Sequence, residues 1–194
     1  MDTARGASYL SAVEKDVILE MNKVRSNPKK YAELYIKTRL QYYNNTIYQD
    51  PNELPLNTVE GAHAAQECYE YLSKAPKAQL LRSSIGLYRA AKDHVQDQSK
   101  TGAVGHEGSD GSSPFDRIKR YGKNYTMAGE NIAYQPSTAR EIVVGLLIDD
   151  GIASRGHRDN IMHKNYNKVG VATGPHEEYG VMCVIEYAKD FQEN

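Results

Sequence analysis

A chain of 194 residues, 40% apolar and 25% charged, is long enough for one domain with a real core and too short to expect two. Its net charge of −1, with Lys and Arg scattered rather than striped, makes no long-range field, so neither nucleic acid nor an anionic membrane is expected as a partner. No window approaches ~18 uninterrupted apolar residues, so no transmembrane segment is expected.

Residues 1–10 carry no basic-then-apolar pattern of a signal peptide and read as a flexible start; residues 11–194 read as one domain. Ser11 followed by Glu14 has capping-box spacing and opens a helix with Val13, Val17, Met21 and Val24 along one face. Asn27-Pro28 stops it and starts a second segment with Tyr31, Leu34 and Tyr35. The polar stretch 41–56, with two prolines, reads as a loop or insertion. Asn57 and Glu60 predict a cap for a helix through Ala62, Ala65, Tyr69 and Leu72. A further helix is expected from Ser84 to Lys100, with Leu87, Ala91, His94 and Val95 on one face and Gly102 as its stop. Residues 102–113, rich in Gly, Ser and Asp, form a loop. Ser113-Pro114 with Asp116 opens a short helix that turns Phe115 and Ile118 inward, and Thr138 with Glu141 caps another through Ile142, Val143, Leu146 and Leu147. Strands follow at Val169–Val171 and Tyr179–Tyr187 around Gly174-Pro175, giving α+β layering.

The 15 Tyr against two Phe and no Trp suit half-wet positions, mostly as amphipathic core. Cys68 and Cys183 are too few for a disulfide framework and are expected as buried free thiols.

The chemistry concentrates at four residues. His106 lies in the glycine-rich run 102–111 and His157 in Ser154-Arg-Gly-His-Arg-Asp-Asn-Ile161, placements better suited to a ligand or base than a helix face. Glu130 is flanked by Gly129 and apolar neighbours. Asp150, at i+7, i+4 and i+3 from Val143, Leu146 and Leu147, is expected to project from the buried face of its helix, with Asp149 as second candidate. Two imidazoles and two carboxylates can hold a divalent cation at about 2.0–2.2 Å, form a hydrogen-bonded acid/base set, or simply fix loops. Short-spaced metal motifs such as HExxH are absent. His94 is expected as a satisfied core residue and His63, His163 and His176 as solvated.

At these residues the sequence resembles the CAP superfamily (cysteine-rich secretory, antigen 5 and pathogenesis-related proteins), in its bacterial SCP-like branch. The resemblance runs through Gly86–His94, Gly105-His-Glu-Gly-Ser-Asp-Gly111, Gly129-Glu-Asn-Ile132, Leu146-Leu-Ile-Asp-Asp-Gly151, Arg155-Gly-His-Arg158 and Met182–Ala188, in order. It implies an α-β-α sandwich with a central antiparallel sheet between helical layers. It also implies a cavity lined by His106, Glu130, Asp150 and His157 that binds a divalent cation such as Zn2+, and a secreted, extracellular or periplasmic protein whose leader has been removed. A monomer is expected. The favoured role is a binding module without turnover. The alternatives are a metal-assisted hydrolase using the same residues, or a lipid- or sterol-binding protein; the ligand is a small lipid or a peptide.

Overall fold

A computed structural model describes residues 1–51, 55–135 and 138–194. In chain order come α1 (Ala12–Ser26), α2 (Pro28–Tyr31), a π turn (Ala32–Ile36) and a 3-10 stretch (Lys37–Tyr42). Then follow β1 (Tyr43–Asn44), β2 (Ile47–Tyr48), β3 (Leu56–Asn57), α3 (Ala62–Lys74), β4 (Arg82–Ser83), α4 (Ile85–Thr101) and α5 (Pro114–Tyr121). The chain continues through β5 (Gly122–Lys123), β6 (Met127–Tyr134), α6 (Ala139–Ile148), α7 (Gly156–Met162), β7 (Lys168–His176), β8 (Gly180–Lys189) and β9 (Gln192–Glu193).

The main sheet has the order β4-β7-β8-β6, so β6 is an edge. Its three long strands are antiparallel; the two-residue β4 joins β7 in parallel, a small departure from the all-antiparallel sheet expected. Period-2 alternation gives the sheet two buried faces. Val169, Val171, Cys183, Ile185 and Tyr187 pack with α1, α3, α6 and α7. On the other face Ile132, Ala172, Met182 and Val184 meet Ala91 and Val95 of α4, and Ala188 meets Leu87, Ala90 and Ile118 of α4 and α5. The layering is α-β-α, as the resemblance implied.

Capping chemistry fixes the helix starts. Ser11 and Glu14, Ser113 and Asp116, and Thr138 and Glu141 all close reciprocal boxes, and Gly102 ends α4 in the left-handed conformation at φ 66°. The other Glu14 oxygen accepts from Thr173 N at 2.9 Å, tying α1 to β7. Arg25 is fully buried. Its guanidinium donates to the carbonyl oxygens of Gln79, Ile161, His163 and Tyr166 at 2.6–3.1 Å, so α1 grips the end of α7. Burial lowers its pKa to about 10.

Several expectations are corrected. α3 starts at Gly61 and not at an Asn57 cap, because Asn57 pairs with Ile47 in a small antiparallel sheet inside the stretch expected as a loop; residues 52–54 of that stretch lie outside the described residues. Phe115 faces outward, 48% exposed, since the buried stripe of α5 runs through Arg117 and Ile118. Strand β6 and helix α7 were not anticipated. The first ten residues, expected to be loose, lie against the fold: Ala4 and Leu10 are buried, and Thr3 Oγ1 donates to Leu81 O at 2.6 Å. His176 is buried rather than solvated, its Nε2 bonded to Ala103 O at 3.0 Å. Cys68 and Cys183 are free and buried; burial pushes the Cys68 thiol up to about 12 and Cys183 up as well.

Candidate functional site

The loop after α4 delivers His106. Gly105, at φ 97°, takes a backbone conformation that favours glycine, and both its polar atoms are clamped. Its N–H donates to Tyr134 Oη at 2.9 Å, and its carbonyl accepts from Gln98 Nε2 at 2.7 Å and His94 Nε2 at 2.8 Å. His106 is thereby held beside β6, half exposed, with Nδ1 2.7 Å from Glu130 Oε1. A carboxylate only accepts, so Nδ1 carries the proton, and Nε2 has no partner among the described residues.

Glu130 comes from β6, on the face that α4 and α5 cover, and its side chain is 2% exposed. A buried carboxylate is costly unless it is paired. Arg117 of α5, equally buried, donates from Nη2 to Glu130 Oε2 at 2.8 Å and to His106 O at 3.1 Å, and from Nη1 to Ser112 O at 2.9 Å. The β6–β8 register sets Glu186 directly opposite Glu130. Glu186 is wholly buried, and its oxygens have no amide or hydroxyl partner among the described residues. Burial, then the Glu130 charge, holds its carboxyl well above the ordinary range, so it keeps its proton and donates toward Glu130. For Glu130 burial works in the raising direction, but the bonds from His106 and Glu186 and the charge of Arg117 outweigh it and keep it ionised.

The second pair is built differently. α6 ends at Ile148, and Asp149 is its left-handed cap at φ 58°. Asp149 Oδ1 lies 2.6 Å from His157 Nδ1, and Oδ2 accepts the His157 backbone N–H at 2.9 Å, so one carboxylate fixes both the ring and the first turn of α7. Here too Nε2 has no partner among the described residues. Arg155, left-handed at φ 52°, holds the intervening turn: it donates to Asp149 O, to both Glu60 oxygens and to Glu67 Oε2 at 2.6–2.9 Å. The Arg155 bonds lower the Glu60 carboxyl to about 2. Arg158 caps the open carbonyls of α6, Leu147 O at 2.6 Å and Ile148 O at 3.2 Å.

The residue facing His157 is therefore Asp149, the second candidate, and not Asp150. The helix stops two residues before Asp150, so its i+3/i+4 projection is lost; its oxygens accept the backbone N–H groups of Val59 and Glu60 at 2.6 and 2.8 Å. Asp150 is thus engaged away from the two imidazole–carboxylate pairs. The first pair sits on the α4–α5 face of β6. The second is carried by α6 and α7 beside the same edge strand, and the two are bridged through it. Asn131 Nδ2 donates to His157 O at 3.0 Å and Asn160 Nδ2 to Glu130 O at 3.2 Å. Gly129 permits this approach, because a Cβ there would lie 2.8 Å from Asn160 Oδ1. Among the described residues no three His, Cys, Asp or Glu side chains are grouped to hold a metal ion.

Sequence reasoning missed Arg117, Glu186, Asn131 and Asn160. Glu186 did leave a signal, as the lone acid inside an apolar strand run. Arg117 left a weaker one, as the residue beside Ile118 on the buried side of its helix.

The family model for the cysteine-rich secretory protein family (CAP) matches residues 20–187. Over 85 residues the chain is 35% identical to the uncharacterized protein YkwD of Bacillus subtilis (strain 168); the match covers 44% of this chain and 31% of YkwD, so the chain spans about a third of that relative. Among solved structures it is similar to an outer surface protein from Borrelia burgdorferi (TM-score 0.50, 17% identity, 58% of this chain and 79% of that one), a likeness of fold. It is also similar to an extracellular protein containing an SCP domain from Bacillus anthracis str. Ames (TM-score 0.48, 23% identity, 58% and 35% covered). Among the described residues no helix is long and apolar enough to cross a membrane. With residues 20–187 matched, the chain belongs to the cysteine-rich secretory protein (CAP) family.

Proposed function

We propose that this CAP domain is an extracellular binding module in which His106 and His157 take up a divalent cation, with zinc the best match to imidazole donors. The observation that supports it is the shared geometry of the two rings. Each gives its Nδ1–H to a carboxylate that is 2% exposed and leaves Nε2 open, the arrangement by which outer carboxylates orient metal-binding histidines. Glu130 and Asp149 act as orienting groups in this reading, and Asp150 takes no part. Two nitrogens are half of a tetrahedral set, so the remaining positions fall to water or to an oxygen of a bound partner. Extracellular placement rests on membership of a family of secretory proteins. Calorimetric titration with zinc tests the reading: His106→Ala and His157→Ala should each abolish the binding seen in the wild type, and unchanged affinity in the double variant removes the site.

The same two dyads favour one second reading, a hydrolase. An imidazole whose Nδ1–H is held by a carboxylate presents Nε2 as a general base toward water; a bound cation would supply Lewis-acid assistance. Peptides and esters turned over in a chelator-sensitive, His157-dependent way would establish it, and no such turnover rejects it. Lipid or sterol binding ranks behind both, because charged side chains line the site.

A further inference from the structure

The loop that carries His106 has no apolar anchor of its own. Ala103, His106 and Glu107 are exposed, and Val104 is 56% exposed. Burial of side chains therefore does not fix residues 103–107, yet the short contact from His106 Nδ1 to Glu130 needs a fixed backbone. What holds the loop is polar and comes from three separate elements.

α4 and β6 act together on Gly105. Its N–H donates to Tyr134 Oη, the Tyr134 hydroxyl donates to Gln98 Oε1 at 2.8 Å, and Gln98 Nε2 donates back to Gly105 O. The three bonds close a ring in which the tyrosine hydroxyl is both acceptor and donor. The third element is the turn between β7 and β8. His176 is 3% exposed; its Nε2 donates to Ala103 O at 3.0 Å and its Nδ1 accepts the Tyr179 N–H at 3.4 Å, so one neutral tautomer serves both contacts. Ser99 Oγ donates to Pro175 O at 2.6 Å and ties the same turn to α4. The rings of Tyr134, His176 and Tyr179 are in mutual contact, with centroids 5.2–5.3 Å apart.

We propose that Tyr134 and His176 are positioning residues for His106. They act through the backbone of Gly105 and Ala103, so the β7–β8 turn and the edge strand together set where the first imidazole stands. His157 has no hydrogen bond to this cluster among the described residues and takes its place from Asp149. The two imidazoles are thus positioned independently. The consequence for cation uptake rests on the proposed role of His106; the positioning itself does not.

The test compares the ring tautomers of His106 and His157 by 15N NMR of the full chain in alkaline buffer. In the wild type both rings should hold their proton on Nδ1, whereas an unrestrained histidine prefers Nε2. Tyr134→Phe keeps the ring packing and removes the hydroxyl; His106 should shift toward the Nε2–H tautomer and His157 should stay unchanged. His176→Leu should act in the same way, and His176→Gln, whose amide can donate to Ala103 O, should restore the wild-type signal. Zinc affinity, titrated in parallel, should fall several-fold in Tyr134→Phe and His176→Leu and recover in His176→Gln. A wild type that takes up no zinc removes the cation reading, and the tautomers alone then decide the positioning. An unchanged His106 tautomer in folded Tyr134→Phe and His176→Leu overturns the proposal. So does an equal change at both rings, which marks a loss of fold and not of positioning.

Discussion

The two imidazole–carboxylate pairs look alike at the contact and differ in everything behind it. His106 rides on an irregular loop, and its acid is planted in a β-strand between a guanidinium and a second carboxyl. His157 sits in the first turn of a helix, and its acid is the left-handed residue that ends the previous helix, eight residues upstream. The first pair depends on the register of distant strands and the second on the path of one short turn. A buried ion cluster is intolerant of losing one member, whereas a capping carboxylate fails gently, so perturbations should separate the pairs.

The sharpest break is Arg117→Met. It removes the guanidinium bonded to Glu130 and leaves two buried carboxyls facing each other, a loss of about 3–5 kcal/mol, readable as a large drop in the urea midpoint. A small drop would mean that Glu130 takes a proton or finds water, and the contrast between the pairs would narrow. Next is Asp149→Ala, which removes the acceptor of His157 Nδ1 and of a helix N–H and should lower stability by about 1–3 kcal/mol. It should also weaken zinc uptake, and an unchanged zinc affinity would show that ring orientation at His157 is set elsewhere.

Glu186→Gln acts on the first pair with a defined pH sign. The folded carboxyl keeps its proton above the ordinary value near 4.5, while the unfolded one has lost it. Wild-type stability from this group is therefore full below that value and declines as pH rises toward the folded pKa. An amide has no such decline, so the variant should gain on wild type by about 1 kcal/mol, or roughly 2–4 °C in midpoint for a domain of this size. The gain should appear at pH 8 and vanish near pH 4; equal differences at both would show that Glu186 ionises in the fold. Smallest is Asp150→Asn, which weakens two caps on the Val59–Glu60 turn by ~0.5–1 kcal/mol and should leave zinc affinity unchanged. A loss matching that of Asp149→Ala would reinstate Asp150 in the site.

What could be read in the sequence follows the same division. Reciprocal caps at Ser11, Ser113 and Thr138 are local signals, and they locate three helices. His106, Glu130 and His157 stand out by their glycine-flanked settings, and each meets a carboxylate or imidazole partner. The choice between Asp149 and Asp150 did not survive helical projection, because α6 leaves the helical path at Asp149, and an aspartate tolerates the left-handed region better than most side chains. Strand β6 was hidden by its Gly129 and Glu130, poor strand formers that belong there for packing and charge reasons. The pairing of Glu186 with Glu130 is a matter of register between strands over fifty residues apart, which no local pattern encodes.

Arg25 carries a consequence for how the molecule comes into being. Its acceptors on the α7 side lie 136 to 141 residues downstream. While the chain is being synthesised, that guanidinium must wait, hydrated or transiently held, until nearly the whole domain has left the ribosome. Contacts spanning such distances close late and slow the search for the native topology. α7 therefore reaches its final seating late in synthesis, and β6 with Glu130 later still, since its partner strand β8 lies further downstream.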